Sequence, residues 1–438
     1  MRFSSSPNRP EAWKEMKLVD ICTTFTSGGT PSRKRPEYFE NGTIPWVRTK
    51  ELNDGIITEV EEFITPEALK NSSAKMLPKN TVLLAMYGAT VGKLGVLGYD
   101  SSCNQACAAM VPKDGVVDFR FLYYLLLNHR ELIISQATGG AQQNLSGELI
   151  KGFTFDFPTY KEQQAISEVL WKIDEKIAAN NALSKTLEDI AQTIFKSWFI
   201  DFDPVKAKIA GEKPAGLDAA TAALFPDSME ESELGFIPKG WEVKGIGDLG
   251  RVVTGKTPST KVPEYWGDQI PFVTIPDMHD QILVTSTVRS LSQKGADSQR
   301  NQYVSAGATM VTCIATPGLV GYATRLCQTN QQINSVVPGN EYSSVWLFWH
   351  LRGLIPTLIR NSGIGTVFAN LNKSDFSKIK SVTPTREVRD AFSGIVQPIV
   401  EFLETLNYES QCLRDIRDGI LPRLISGELQ IPEEMLVS

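Results

Sequence analysis

Residues 13–159 and 241–385 of this 438-residue chain are two versions of one sequence. Trp13-Lys-Glu-Met-Lys17 echoes Trp241-Glu-Val-Lys244, and Ser27-Gly-Gly-Thr-Pro-Ser32 echoes Thr254-Gly-Lys-Thr-Pro-Ser259. Pro36-Glu-Tyr-Phe39 returns as Pro263-Glu-Tyr-Trp266, and Ile44-Pro-Trp-Val47 as Ile270-Pro-Phe-Val273. Further on, Ala89-Thr-Val-Gly-Lys-Leu-Gly95 matches Ala315-Thr-Pro-Gly-Leu-Val-Gly321, Asn104-Gln105 matches Asn330-Gln331, and Asn144-Leu145 matches Asn370-Leu371. The offset drifts only from 228 to 226, so two small gaps keep the order intact. Such a repeat calls for two copies of one folding unit, each with its own core, rather than one large domain.

Each copy has two parts. The first alternates short β-rich runs, such as Thr81–Met86 and Ala308–Cys313, with Gly, Pro and Asn turns, and adds one apolar helical stretch, Phe119–Leu132 or Val345–Ile359. The second is helical. Ile166, Leu170, Ile173, Ile177, Asn180, Ser184, Leu187, Ala191 and Ile194 recur at steps of three and four. So do Phe392, Val396, Ile399, Leu403, Leu406, Ser410, Leu413, Arg417 and Ile420. That is the spacing of a coiled-coil seam. Ser184 and Ser410 share a repeat position and are candidates to fix register, while Pro398 predicts a kink or a late helix start. The domain reading is an arm at 1–12, a first domain at 13–159, a helix at 160–200, a connector at 201–240, a second domain at 241–385, a helix at 386–430 and a tail at 431–438. The arm is expected to be disordered and the Gly-, Pro- and acid-rich connector partly ordered and mostly exposed.

The net charge of −6 is unevenly spread. Residues 1–159 are neutral and 241–385 carry 13 basic against 9 acidic residues, so the excess of acid lies in the helices and the connector. A polyanion within a Debye length of about 10 Å feels the local surface and not the total. Cys22, Cys103, Cys107, Cys313, Cys327 and Cys412 form no dense framework, which points to reduced thiols and a cytoplasmic location. Cys103 and Cys107 are close enough to share a metal, but the three histidines stand far off in sequence, and buried small apolar side chains are the preferred reading. No apolar run approaches the ~20 residues that span a bilayer, and Met1–Pro10 lacks the apolar stretch of a secretory signal.

No catalytic motif is complete. Gly88-Ala-Thr-Val-Gly-Lys-Leu94 is one residue short of a phosphate-binding loop, has no hydroxyl after the lysine, and has Leu319 in place of Lys93 in the second copy. A glycine-rich turn between strands fits better. Asp227 with Glu242 and Lys244 suggests a nuclease metal site, but Asp227 falls in the connector and no aspartate precedes Glu15 and Lys17 in the first copy. Asp203-Pro-Val205 lacks the second proline and the aromatic that an amino-methyltransferase uses to hold a flipped base. No acid–base constellation stands out, and the reading is a non-enzyme.

Several stretches, in this order, identify a family. They are Ser27–Ser32 with Pro36–Phe39 and Ile44–Trp46, Lys196-Ser-Trp-Phe-Ile-Asp-Phe-Asp-Pro-Val205, Leu224–Asp227, Leu234–Trp241, and Leu421-Pro-Arg-Leu-Ile-Ser-Gly-Glu-Leu429. The chain resembles, end to end, the specificity subunit of Type I restriction–modification systems. The resemblance implies an α+β architecture: two tandem mixed α/β target recognition domains separated by two long conserved helices, packed as an antiparallel coiled coil with pseudo-twofold symmetry. It implies double-stranded DNA as ligand, each domain reading one half of a gapped site, with the helices setting the spacer. Two modification (methyltransferase) subunits would dock on the helices, and restriction (motor–nuclease) subunits would join them. S-adenosylmethionine, ATP and magnesium are expected on those partners and no cofactor on this chain. The rival readings are a fused endonuclease–methyltransferase, which would need a catalytic segment, and a DNA-binding or scaffold module acting without restriction partners.

If the two half-sites differ, base-reading residues differ between copies while phosphate-holding and scaffold residues are shared. Shared positions are Thr30/Thr257, Ser32/Ser259, Thr90/Thr316, Asn104/Asn330, Gln105/Gln331 and Asn144/Asn370, for most of which a turn role is preferred. Divergent ones are Arg48/Thr274, Thr49/Ile275, Lys50/Pro276, Tyr87/Cys313, Lys93/Leu319 and Gln142/Phe368. Arginine on guanine and glutamine on adenine are the usual bidentate pairs. Arg48, Gln142 and Gln143 are therefore the preferred readers in the first domain, and Arg325 and Lys256 in the second. Arg33, Lys34 and Arg35 form a candidate phosphate clamp. The predicted DNA-contacting set is completed by Thr30, Ser32, Lys50, Tyr87, Lys93 and Gln105, and by Thr257, Ser259, Lys261, Thr274 and Gln331.

Overall fold

The computed structural model describes residues 10, 12–137, 144–279, 281–314, 316, 318–361, 371–432 and 434. It divides into two units, Met1–Ala178 with Gln411–Ser438, and Ala179–Ser410.

The first unit opens with β1 (Lys14–Lys17) and β2 (Cys22–Ser27), followed by β3 (Ile44–Val47), β4 (Gly55–Ile57) and β5 (Phe63–Ile64). After α1 (Pro66–Lys70) come β6 (Val82–Ala85), β7 (Leu94–Leu97), β8 (Ser102–Cys103) and β9 (Cys107–Pro112). The main sheet has the order β2-β9-β6-β7-β4 and is antiparallel except for β4 beside β7. Both faces of β6 and β7 are buried. This explains why their sequences read as unbroken apolar runs without a period of two. A smaller sheet, β5-β3-β8, pairs Trp46 and Val47 in parallel with Ser102 and Cys103.

The expected apolar helix is two helices, α2 (Phe119–Asn128) and α3 (Arg130–Ser135). The break falls at His129, whose Nδ1 lies 2.8 Å from the Leu125 carbonyl oxygen. Asp118 caps α2 through the Arg120 N–H, and six successive residues, Phe121–Leu126, are buried. A helix apolar on all sides lies inside its domain. After α4 (Gly147–Lys151), β10 (Thr154–Phe157) pairs antiparallel with β1 and closes the copy. α5 (Tyr160–Phe199) follows at once, and its Ile166 and Leu170 share this core with Leu421, Leu424 and Ile425.

The second unit contains the rest of α5 and then the connector. As expected, the connector is partly ordered and mostly exposed; it is built from α6 (Asp203–Ile209), α7 (Ala219–Ala223) and a hairpin of β11 (Met229–Ser232) and β12 (Gly235–Pro238). It buries Val205, Phe225 and Ile237 in the core of the unit. The Lys196–Val205 motif makes the turn into α6. Phe202 takes the left-handed conformation (φ 57°), its ring is 5.6 Å from that of Trp241, and Ser197 Oγ donates to Asp203.

The second copy then repeats the first. It runs β13 (Glu242–Gly245), α8 (Ile246–Leu249), β14 (Gly250–Thr254), β15 (Trp266–Gly267), β16 (Ile270–Val273), β17 (Leu283–Val284), β18 (Ser290–Leu291) and α9 (Gln293–Asp297). It continues with β19 (Thr309–Thr312), β20 (Val320–Ala323), β21 (Gln328–Thr329), β22 (Ile333–Pro338), α10 (Ser344–Asn361), α11 (Lys373–Lys378) and β23 (Lys380–Thr383). The main sheet order, β14-β22-β19-β20-β17, is that of the first copy strand for strand, with β17 and β20 the parallel pair. β16 pairs in parallel with β21 as β3 does with β8, and β13–β23 stands where β1–β10 stood.

α12 (Arg386–Ile425) continues unbroken through Pro398, so no late start occurs there. The proline removes one backbone donor of many in a 40-residue helix whose apolar face stays buried at Phe392, Val396, Val400, Leu403 and Leu406. Within the second unit α5 and α12 are antiparallel: Phe195 meets Phe392 at 5.8 Å, and Asn180 Nδ2 donates to Ser410 Oγ at 3.2 Å and to Glu409 at 2.8 Å. The partner of Ser410 across the seam is thus Asn180 and not Ser184, since antiparallel packing opposes different repeat positions. In the first unit the same two helices are tied by Arg417 Nη1 and Asp174, 2.6 Å apart, with the Tyr124 hydroxyl donating to the same carboxylate.

Candidate nucleic-acid interface

The shared residues hold the frame. Gly28 lies so close to the Asn104 carbonyl that a Cβ would sit 2.2 Å from its oxygen, and Gly255 stands in the same relation to Asn330, at 2.1 Å. Asn104 Oδ1 accepts the Ala106 N–H, and Asn330 Oδ1 accepts the Gln332 N–H. These are side-chain turns at the ends of β8 and β21, against which Gly28 and Gly255 pack. Trp46 Nε1 donates to the Gly29 carbonyl and Trp266 Nε1 to that of Ser259. Thr257 donates to Gln331 at 2.7 Å, which joins two of the predicted contact residues to each other.

A second shared device was not foreseen. After β3 and after β16 the chain makes one short helical turn, and the acid at its third position clamps the next loop. Glu51 accepts from the Arg48 N–H (2.5 Å) and the Glu61 N–H (3.3 Å). Asp277 accepts from the Thr274 N–H (2.8 Å) and the Val288 N–H (2.8 Å). The visible signal was Thr274-Ile-Pro-Asp277, a capping-box spacing. The Thr274 hydroxyl also donates to Asp277, so this predicted reader is occupied internally.

In the first copy three of the predicted cations gather on two glutamates. Arg48 reaches Glu62 at 2.5 Å and Glu61 at 2.7 Å, Lys50 also pairs with Glu61, and Arg33 Nη2 reaches Glu62 at 2.5 Å. Hydrogen bonding from Lys50 holds the Glu61 carboxyl below its usual range. Arg48 Nε is buried without a partner. Arg33 lies over the rings of Phe39 (4.2 Å) and Trp46 (5.3 Å), and Arg35 donates to the Tyr38 hydroxyl. Lys34 and Ser32 are exposed beside them, Thr30 is half-buried, and Gln105 is exposed on the Asn104 turn. Lys93 belongs elsewhere: with Arg130 it pairs with Asp54. Burial opposes ionisation of Asp54, but hydrogen bonds from the Leu94 N–H and Arg130 outweigh it and hold the carboxyl low. The glycine-rich segment around Lys93 turns β6 into β7 as an antiparallel pair, with Gly88 and Gly92 at positive φ, and no helix follows it. Tyr87 is half-buried and bridges to Asn144. Gln142 and Gln143 lie outside the described residues.

In the second copy Lys256, Ser259 and Lys261 are exposed along the equivalent loop. Arg325 is exposed on the turn between β20 and β21 and lines a small cleft with Thr285, Ser286 and Thr287. The loop 285–289 carries no carboxylate, whereas its counterpart carries Glu59, Glu61 and Glu62.

Among the described residues no group of His, Cys, Asp and Glu side chains could hold a metal ion, and no helix is long and apolar enough to cross a membrane. Cys103 and Cys107 are buried thiols, and the hydrogen bond between them, with burial, pushes the Cys107 thiol well up.

The sequence model of the Type I restriction modification DNA specificity domain matches twice, over residues 10–189 and 238–420. The chain is 35% identical to the Type I restriction enzyme HindI specificity subunit of Haemophilus influenzae, over 95% of this chain and 99% of that one. It is 28% identical to the MjaIX specificity subunit of Methanocaldococcus jannaschii, over 97% and 95%. Its fold is similar to that of a Type I restriction–modification S subunit from M. genitalium, with a TM-score of 0.58 at 16% identity over 96% of this chain and 98% of the other. Two copies of one recognition scaffold, joined by long helices and matched over their whole length, place this chain in the family of Type I restriction–modification DNA specificity subunits.

Proposed function

We propose that each domain reads one half of a gapped, bipartite site in double-stranded DNA, that α5 and α12 set the spacer, and that the same helices dock two modification subunits, which restriction subunits join. The observation that carries this is the contrast between frame and loops. The two copies keep sheet order, glycine contacts and clamping acid, yet differ in charge on the loops those features position. A shared frame with divergent loops is what reading two different half-sites requires. The chemistry belongs to the partners, with S-adenosylmethionine on the modification subunits and ATP with magnesium on the restriction subunits. A cytoplasmic location follows from that assembly.

Arg48 and Arg325 are the leading base readers. Arg48 must leave Glu61 and Glu62 to reach a guanine edge. The Arg48–Glu62 pair is partly buried, its side chains 23% and 26% exposed, so the ~1–3 kcal/mol of a good bidentate base contact has to offset the loss of these partners. The test is selection from a randomised duplex library by the full chain purified with its modification subunits. Enrichment of a gapped motif with two dissimilar halves is expected, and a pool that stays random would overturn the reading.

A further inference from the structure

Both copies place an arginine over the same aromatic pair, but they take it from different parts of the chain. In the first copy the pair is Phe39 and Trp46, edge to face at 6.0 Å, with Arg33 of the Ser-Arg-Lys-Arg loop above them. In the second it is Trp266 and Phe272, edge to face at 5.4 Å, and the guanidinium is that of Arg289, 3.6 Å from the Trp266 ring and 5.8 Å from Phe272. The position matching Arg33 is Thr260, which cannot do this. Arg289 occupies the place of Glu62: the Glu62 carbonyl accepts the Trp46 N–H at 3.0 Å, and the Arg289 carbonyl accepts the Phe272 N–H at 3.0 Å. A comparison residue by residue therefore sets an arginine against a glutamate and hides the equivalence.

The exchange changes what the guanidinium can bind. Glu62 supplies an internal anion to Arg33. With the glutamate replaced by the arginine itself, that internal anion is gone, and among the described residues Arg289 has no acidic partner. It is exposed on a loop without carboxylates, its guanidinium carbon 3.6 Å from the centre of the Trp266 ring. A planar, pre-positioned fork suits a phosphate oxygen pair.

We propose that the Arg289 guanidinium, seated on Trp266 and Phe272, is an anion site that takes a phosphate of the DNA backbone, and that the matching site in the first domain is closed by Glu62. The inference rests on the DNA-reading function above and adds an asymmetry to it: the second domain anchors on the backbone at a point where the first is self-neutralised.

The test is the salt dependence of binding, with the full chain purified with its modification subunits and a random-sequence DNA duplex as probe. Each lost phosphate contact lowers the slope of log K against log salt by about 0.9. Arg289→Ala is expected to lower the slope by that amount, and so is Arg289→Gln, which keeps a planar group on the rings and guards against a packing effect. Arg33→Ala is expected to leave the slope unchanged, and Glu62→Gln to raise it. A wild-type slope in both Arg289 variants would overturn the inference, as would an equal loss in Arg33→Ala. Failure of the wild-type complex to bind any duplex would instead count against the DNA-reading function, and the inference would fall with it.

Discussion

The residues that the two copies share and those that they do not have separable jobs. Gly28, Gly255, Asn104 and Asn330 are fixed by contact with backbone, whereas Arg48 faces a loop that changes sign between copies. Arg48→Ala is expected to relax the first half-site and leave the second intact, read from the pattern of modified sites in cells. Equal loss at both halves would remove Arg48 as a base reader. His350 offers a test of the core. It is fully buried, stacked 4.5 Å from Trp346 and within 2.8 Å of Ser381 Oγ, and burial, with Arg389 nearby, pushes its pKa down from 6.5 to about 3. Below pH 6.5 the unfolded chain gains a proton that the folded chain refuses, so stability falls with pH until about pH 3. Between pH 6.5 and pH 5 the loss is roughly 2 kcal/mol by this linkage. Denaturant titrations at the two pH values should show it, and His350→Gln should flatten it.

At the scale of elements, periodicity is what made the chain legible. The 3–4 spacing of α5 and α12 and the unbroken apolar run of β6 follow from burial of one stripe or of both faces, which sequence records directly. The break at His129 and the passage through Pro398 were not legible, because each depends on tertiary contacts that offset a local preference. The same holds for pairing across the seam, where Asn180 and not Ser184 meets Ser410. Truncating Asn180 to Ala leaves Ser410 buried without this donor and should cost about 1–3 kcal/mol in denaturant titrations. Replacing both, Asn180→Leu with Ser410→Ala, should cost less, because no polar partner is stranded. If the double variant lost more than the single, the buried pair would be doing something other than satisfying itself.

For the whole molecule, the repeat announced two domains, but it could not announce how the copies divide their labour. Alignment of the copies sets Arg48 against Thr274 and Lys93 against Leu319, where Lys93 pairs with Asp54. It missed Glu51 with Asp277, whose pattern is a capping box read only locally, and Arg289, whose place is that of Glu62 and whose role in the other copy falls to Arg33, 29 residues away from Glu62. Recognition surfaces are the part of a duplicated protein where equivalence of place outlives equivalence of sequence. On the proposed function, these two surfaces read two different half-sites at a fixed spacing. The most direct measurement is a map of methylated bases in DNA from cells that express this chain with its modification subunit. A single gapped motif with two unlike halves is predicted. An ungapped motif, two identical halves, or no modification above background would contradict the account.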